Sequence, residues 1–149
     1  MYSINDIAAW FINKEPMSDK KLQKLSYYAV AWGWALLKRP IVSDTDFEAW
    51  VHGPVSPVLY AEYRQYGWTN IYEPAVPGKT IDNDEMVSDL MESVWETYGD
   101  KTGDELEALT HSELPWKEAR RGLQSNQSSK NKISPETMEK FYSEIYIGD

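Results

Sequence analysis

The fold is decided by the stretch Lys21-Leu22-Gln23-Lys24-Leu25-Ser26-Tyr27-Tyr28-Ala29-Val30-Ala31-Trp32. Drawn as a helix, this stretch is apolar on more than one side, which is typical of a central helix with others packed around it. Ser18 is suited to cap the start of the helix, and Pro40 marks its end. The stretch therefore predicts a mainly α domain built around one buried helix.

A short β element is predicted next along the chain, in Phe47-Glu48-Ala49-Trp50-Val51-His52. Its alternation of apolar and other side chains has a period of two, which predicts a short strand or a β-hairpin. Gly53-Pro54 is expected to break this element. Ser56 followed by Pro57 then predicts the start of another helix, which Gly67 closes.

Five further helices are predicted where a capping residue or a proline precedes apolar residues at helical spacing. Their first residues or caps are Ser3, Asp82, Thr102, Pro115 and Ser134. Met86 and Ile145 belong to the apolar stripes of two of these helices and are expected to point inward. The resulting fold class is mainly α: a compact single-domain bundle of about six to seven helices with one small β-hairpin, spanning residues 1–149.

The negative charge of the chain is concentrated in one segment. The net charge is −9, and residues 57–116 hold three basic and thirteen acidic side chains, which gives −10 for that segment alone. Such a segment repels phosphate backbones and attracts a basic partner, so we expect no nucleic-acid partner. A solvated acidic helical face explains the same pattern without any partner.

The composition also limits the possible cellular compartment and the possible kinds of reactive or metal-binding site. The absence of cysteine excludes disulfides, thiolate nucleophiles and Cys-containing zinc sites. Residues 1–6 lack the basic stretch and apolar run of a signal peptide, and the apolar stretch 27–37 is too short to span a bilayer. We therefore expect a cytoplasmic protein with no membrane partner.

Few side chains suggest catalysis or metal binding. Glu48 and His52 would share one face of an extended strand and could form a general acid/base pair, although a structural hydrogen bond is the favoured interpretation. His111 is open to the same two interpretations. The two histidines and scattered acids do not form a metal-binding pattern, so no metal and no cofactor are expected.

The basic residues form two small groups. Lys20, Lys21 and Lys24 lie near the start of the central helix and are expected to be solvated. Lys117, Arg120 and Arg121 form the second group, which is unspecific. Neither group forms a strip along a helix, so neither favours DNA binding.

Several segments together resemble the SocA-like antitoxins, or Panacea domain family, which includes phage-associated proteins of the GepA type. The resemblance runs through Lys21–Tyr28, Phe47–Val55, Val58–Tyr60, Tyr63–Gly67, Leu109–Lys117 and Ile133–Glu136, in the order found in that family. Ser26 and His52 depart from the usual pattern, which leaves the choice of partner open. The resemblance implies a non-enzymatic antitoxin that binds and neutralises a toxin encoded beside it.

We expect toxin contact to use the acidic region between Asp82 and Glu113 together with exposed aromatic side chains. The candidate partner-binding residues are Trp50, His52, Trp68, Asp89, Glu92 and Glu96. Two alternatives remain open at this stage. The first is an adaptor that delivers a bound toxin to a protease, with residues 124–132 as a mobile handle. The second is a small hydrolase that uses Glu48 and His52.

Overall fold

The structure is a computed structural model that describes residues 1–147. Its helices are α1 (Ile4–Lys14), α2 (Asp19–Leu37), α3 (Pro57–Tyr63), α4 (Glu85–Tyr98), α5 (Gly103–His111), α6 (Leu114–Ala119) and α7 (Pro135–Ile147). Strands β1 (Glu48–Trp50) and β2 (Gly53–Val55) form an antiparallel pair. The predicted helical bundle with one small hairpin is confirmed. No helix in residues 1–147 is long and apolar enough to cross a membrane.

The central position of α2 is confirmed. This helix packs against α1, α4, α5 and α7 and also contacts α3 and β2. Leu22, Leu25, Tyr27 and Tyr28 are fully buried on it, because helices cover it on several sides. Burial of such side chains stabilises the fold by roughly 2 kcal/mol each. The hydrophobic core of the domain is therefore organised around α2.

Most of the predicted helix starts are confirmed by their hydrogen bonds. Ser3 and Thr102 each form a capping box, and Ser18 and Ser56 accept the backbone N–H of the third residue after them. The expected cap at Asp82 is wrong. Asp84 caps α4 instead, while the Asp82 carboxylate accepts a hydrogen bond from the indole N–H of Trp10 at 3.3 Å.

The expectation that Gly53-Pro54 breaks the β element is wrong. Both residues form part of β2. The chain turns at Val51 and His52, and Ala49 lies opposite Pro54. Proline fits there because the backbone N–H of Ala49 points away from β2, toward the carbonyl of Asn131 at 2.8 Å. The Ala49–Pro54 pair therefore requires no hydrogen bond from the missing proline N–H.

Two apolar side chains that were expected inside lie at the surface. Met86 is 57% exposed and Ile145 is 41% exposed. In α4 the buried face consists of Val87, Leu90, Met91, Val94 and Tyr98, so Met86 falls beside it. Ile145 borders an open groove between α2, α4 and α7, while Met138, which belongs to the same predicted α7 stripe, is buried as expected.

Candidate functional site

The tip of the hairpin presents two of the predicted partner-binding residues. Trp50 is half-buried, with its ring against Tyr60 at 5.0 Å and its indole N–H donating to Glu48 at 2.9 Å. His52 lies in the turn and is exposed. The tip therefore offers an oriented aromatic surface next to a titratable side chain.

Glu107 connects the hairpin tip to the start of α2. Its carboxylate lies 3.2 Å from Nδ1 of His52 and 2.7 Å from the ammonium group of Lys20, which also contacts Asp104 at 2.9 Å. Burial alone would raise the pKa of Glu107, but the hydrogen bonds and charges of Lys20 and His52 hold this pKa below its usual value. Glu107 is therefore a carboxylate at neutral pH.

The predicted pairing of Glu48 with His52 is wrong. The residues lie on different parts of the hairpin, since Glu48 is in β1 and His52 is in the turn. Glu48 accepts the indole N–H of Trp50, while His52 faces Glu107 on α5. The extended geometry that would align the two side chains ends at Trp50, where the chain turns.

Strand β2 is fastened to α2 by two buried polar side chains. Gln23 makes two hydrogen bonds to the backbone of Ser56, at 2.9 and 3.2 Å. The ammonium group of Lys24 donates to the carbonyl of Pro54 at 3.3 Å. Lys24 was expected to be solvated, yet it is 2% exposed, because β2 covers this side of α2.

The environment of Lys24 is unusual for a lysine. Burial lowers the pKa of Lys24 to about 8, and the charge of Glu107 opposes this effect. Asp19, at the first position of α2, is also buried, and burial raises its pKa to about 6 against the opposing charge of Lys24. The first half of α2 therefore holds two buried ionisable groups, of which Lys24 contacts the hairpin.

Strand β1 is fastened by residues that follow α5. Arg120 is buried and donates to the carbonyls of Ala49 at 2.8 Å, Gln124 at 3.1 Å and Gln127 at 2.5 Å. The indole N–H of Trp116 donates to the carbonyl of Trp50 at 2.8 Å. Arg120 thus does not belong to an unspecific basic surface, because its guanidinium group joins β1 to the connection after α6.

A buried carboxylate just before α6 joins α2 to α7. Glu113 accepts hydrogen bonds from the hydroxyl groups of Tyr28 and Tyr142, both at 2.8 Å, through one oxygen. Burial raises the pKa of Glu113, and these two hydrogen bonds oppose the rise. His111, two residues earlier, stacks on Trp116 with ring centroids 4.0 Å apart, and burial lowers the pKa of His111.

The remaining predicted residues lie on other elements. Asp89, Glu92 and Glu96 are exposed on one face of α4, and Glu92 pairs with Lys14 at 2.5 Å. Trp68 follows the 3₁₀ turn Arg64–Tyr66 and is 93% exposed. The structure thus places Trp50 and His52 together on the hairpin, the three acids together on α4, and Trp68 on a separate connection.

The hairpin tip is a surface on which the side chain of the turn residue His52 is exposed beside the half-buried Trp50. Within residues 1–147, no three His, Asp or Glu side chains come together as a metal site would need. The polar groups beneath the hairpin are mostly engaged in holding its backbone. The arrangement therefore provides a rigidly held β-turn with exposed side chains above it.

Sequence reasoning missed Gln23, Lys24, Trp116 and Arg120 as parts of this arrangement. A usable signal was present, because a glutamine and a lysine in a helix that is otherwise apolar all round must lie near buried partners. The signal does not identify the partners, which lie 30 residues along the chain from Lys24 and 33 from Gln23. No comparable signal marks Arg120, whose partner Ala49 is 71 residues away.

Comparison with known proteins places these features in a family. The sequence profile described as "Antitoxin SocA-like, Panacea domain" matches residues 22–117. Antitoxin SocA from Caulobacter vibrioides (strain NA1000 / CB15N) is 32% identical over 111 residues, covering 68% of this chain and 58% of the relative. The chain thus matches little more than half the length of that curated relative. No solved structure matches significantly.

Proposed function

Because the chain belongs to the SocA-like antitoxin family with its Panacea domain, we propose that it neutralises a cognate protein toxin by direct protein–protein binding. The toxin is the product of a neighbouring open reading frame, and the complex forms in the cytoplasm. The function needs a specific surface on a stable scaffold and no reactive group.

The observation that carries this proposal is the way the hairpin is held. Two segments of the family resemblance supply anchors for it: the buried Lys24 under β2, and the half-buried Trp116 behind β1, which follows the buried Glu113. These anchors fix the backbone beneath Trp50 and His52, so the tip is organised before a partner arrives. A preorganised surface loses less conformational entropy on binding, which favours tight association.

The acidic face of α4 is the second part of the proposed contact surface. Asp89 and Glu96 are exposed, and α4 contains no basic residue. This charge would speed the encounter with a basic toxin surface. Trp68 supplies a large exposed aromatic side chain of the kind enriched in interfaces.

Direct neutralisation ranks above delivery to a protease because of the connection 124–132. The adaptor alternative uses this connection as a mobile handle, yet the carbonyls of Gln124 and Gln127 accept hydrogen bonds from Arg120. Asn131 is also held, through its carbonyl, by the backbone of Ala49. The hydrolase alternative loses its basis because Glu48 and His52 do not face each other.

Co-expression with the product of the neighbouring open reading frame tests the proposal. We expect the neighbour to arrest growth alone, and this chain to restore growth while co-purifying with the neighbour. The purified pair should reproduce inhibition without a protease. Rescue that requires a protease and leaves no stable complex would favour the adaptor, and a harmless neighbour would contradict the antitoxin role for this pair.

A further inference from the structure

An apolar groove lies between α2, α4 and α7, away from the hairpin. It has a volume of about 360 Å³ and is lined mainly by Trp32, Leu36, Leu90, Val94, Ile145 and Tyr146. Leu36 and Ile145 are 40% and 41% exposed, and Tyr146 is also exposed. These three side chains extend the apolar surface of the core to the solvent.

The same apolar surface continues along α4. Met86 lies four residues before Leu90 and seven before Ser93, so the three residues share one side of the helix. Met86 is largely exposed. Side chains at this spacing line a groove that runs along a helix rather than a round pocket. Ser93 and Thr97 supply the polar atoms at its rim.

Negative charge borders the groove on one side. On α4 the exposed acids Glu85, Asp89, Glu92 and Glu96 form a stripe next to the rim that contains Ser93 and Thr97. Within residues 1–147, one acid of this stripe forms an ion pair: Glu92 pairs with Lys14. A ligand in the groove would therefore meet an apolar floor and an anionic edge.

We propose that this groove binds an amphipathic helix that carries apolar side chains on one face and Lys or Arg on the adjoining face. The inference rests on the proposed function in naming the toxin as the protein that supplies this helix. The apolar anchors occupy the space over Leu36 and Ile145, and the cations face Asp89 and Glu96. An amphipathic helix in an apolar groove is a recurrent mode of recognition.

Two other occupants fit less well. A second copy of this chain would bring the acids of α4 against their own equivalents in a two-fold contact, which like charges disfavour. A small polar molecule would need several convergent polar groups, whereas the lining is mainly aliphatic and aromatic. A basic amphipathic helix is complementary to both parts of the groove, because its apolar face fits the apolar floor and its cations face the acidic edge.

The first test uses a fluorescent synthetic helix with Leu on one face and Lys on the other, and a twin with Glu in place of Lys. We expect the full chain to bind the Lys peptide and not the Glu peptide. Leu36→Lys and, independently, Ile145→Lys should weaken binding at least about tenfold, which corresponds to about 1.4 kcal/mol. Leu114→Lys is the matched control, because Leu114 is 42% exposed and lies on α6.

Several results would overturn the groove as the binding site. One is equal binding of the Lys peptide by Leu36→Lys, Ile145→Lys and Leu114→Lys, when circular dichroism shows that all are folded. Another is equal affinity for the Lys and Glu peptides. Self-association of the chain that Leu36→Lys abolishes, without peptide binding, would assign the groove to a second copy instead.

The same variants, tested against the neighbouring gene product, separate this inference from the proposed function. Loss of the complex with Leu36→Lys but not with Leu114→Lys supports both. Full neutralisation by Leu36→Lys and Ile145→Lys overturns the groove and leaves the antitoxin role intact. A third result is that the groove binds the Lys peptide but the unaltered chain does not neutralise the neighbouring gene product. This result overturns the antitoxin role and still supports a basic amphipathic helix as the ligand of the groove.

Discussion

The ammonium group of Lys24 lies 3.3 Å from the carbonyl oxygen of Pro54, and this buried contact joins the central helix to strand β2 of the hairpin. The contact requires the side chain of Lys24 to pass close to the backbone of β2. Gly53, which precedes Pro54, permits that approach because it has no side chain. Its φ of 109° also lies outside the range that other residues readily adopt.

Replacing Gly53 by Ala should therefore destabilise the domain strongly. The added Cβ would lie 2.7 Å from Cε of Lys24 and 3.1 Å from Oγ1 of Thr110, and both side chains are buried. Overpacking and backbone strain together predict a loss of about 3 kcal/mol in the free energy of unfolding, measured with urea.

Gly122→Ala is the matched control for that experiment. Gly122 also has a positive φ, 86°, but no atom outside its immediate neighbours lies within 4 Å of the position that the added methyl group would take. This variant should lose only the cost of backbone strain, about 1 kcal/mol. Equal losses in the two variants would contradict the close packing of Gly53 against Lys24.

Arg120→Lys should weaken the attachment of β1. Lysine has one compact ammonium group and cannot reproduce the guanidinium contacts to Ala49, Gln124 and Gln127. We expect a loss of about 2 kcal/mol in the free energy of unfolding, with faster hydrogen exchange in residues 124–132. Arg121→Lys, at an exposed neighbouring position, should change stability by less than about 0.5 kcal/mol.

The stability of the domain should depend on Asp19 in mildly acidic solution. The folded state binds this proton more tightly than the unfolded chain, since burial raises the pKa of Asp19 from 3.8 to about 6. The stability that Asp19 contributes is therefore fully present below the unfolded pKa and is lost as the pH rises through the folded one.

Urea unfolding across this pH range should reveal that dependence as a difference between two proteins. The unaltered chain should lose stability relative to Asp19→Asn as the pH rises from about 4 to about 6. Asp104→Asn is the control. Lys20 lowers the pKa of the exposed Asp104 carboxylate, so the pH dependence of stability that Asp104 contributes has the opposite sign to that of Asp19. Parallel curves for the unaltered chain and Asp19→Asn would contradict the burial of an ionisable carboxyl group there.

Charge reversal on α4 should slow toxin association if the acidic face steers the encounter. Glu92 pairs with Lys14, so reversing it would also place two lysines together. Asp89→Lys with Glu96→Lys avoids that complication. We expect about a tenfold lower association rate with the neighbouring gene product at low salt, measured by stopped-flow fluorescence, and a smaller difference at high salt.

The control for charge reversal carries the same change in net charge at other exposed positions, Glu15→Lys with Glu73→Lys. This pair should slow association less than the α4 pair. Identical rates for the two pairs would show that overall charge, rather than the α4 face, governs the encounter. Unchanged rates and neutralisation in both would remove the electrostatic part of the proposed interface.

The sequence predicted the helices well because their determinants are local. Ser3 and Thr102 cap the helices expected after them, and the apolar stripe of α4 from Val87 to Tyr98 is buried. Local patterns failed where distant contacts decide the outcome. Gly53-Pro54 is a typical strand breaker, yet the lysine beneath it and the orientation of Ala49 allow it to form a strand.

The site was predictable in part for the same reason. Exposure of Trp68, Asp89 and Glu96 agrees with their polar or irregular surroundings, but Glu48 and His52 were paired on the assumption of one straight strand. The groove could not be predicted at all. Helical periodicity shows that Ile145 lies on the apolar side of its helix, but it does not show whether another element covers that side.

The anchoring of the hairpin from behind has a consequence for retargeting. Lys24, Trp116 and Arg120 hold backbone atoms through contacts that do not use the side chain of His52. Randomised libraries at His52 and its exposed surroundings should therefore yield folded variants at high frequency. Such libraries would allow new partner specificities to be selected in the manner of antibody loops, on a scaffold that has no disulfide to reduce.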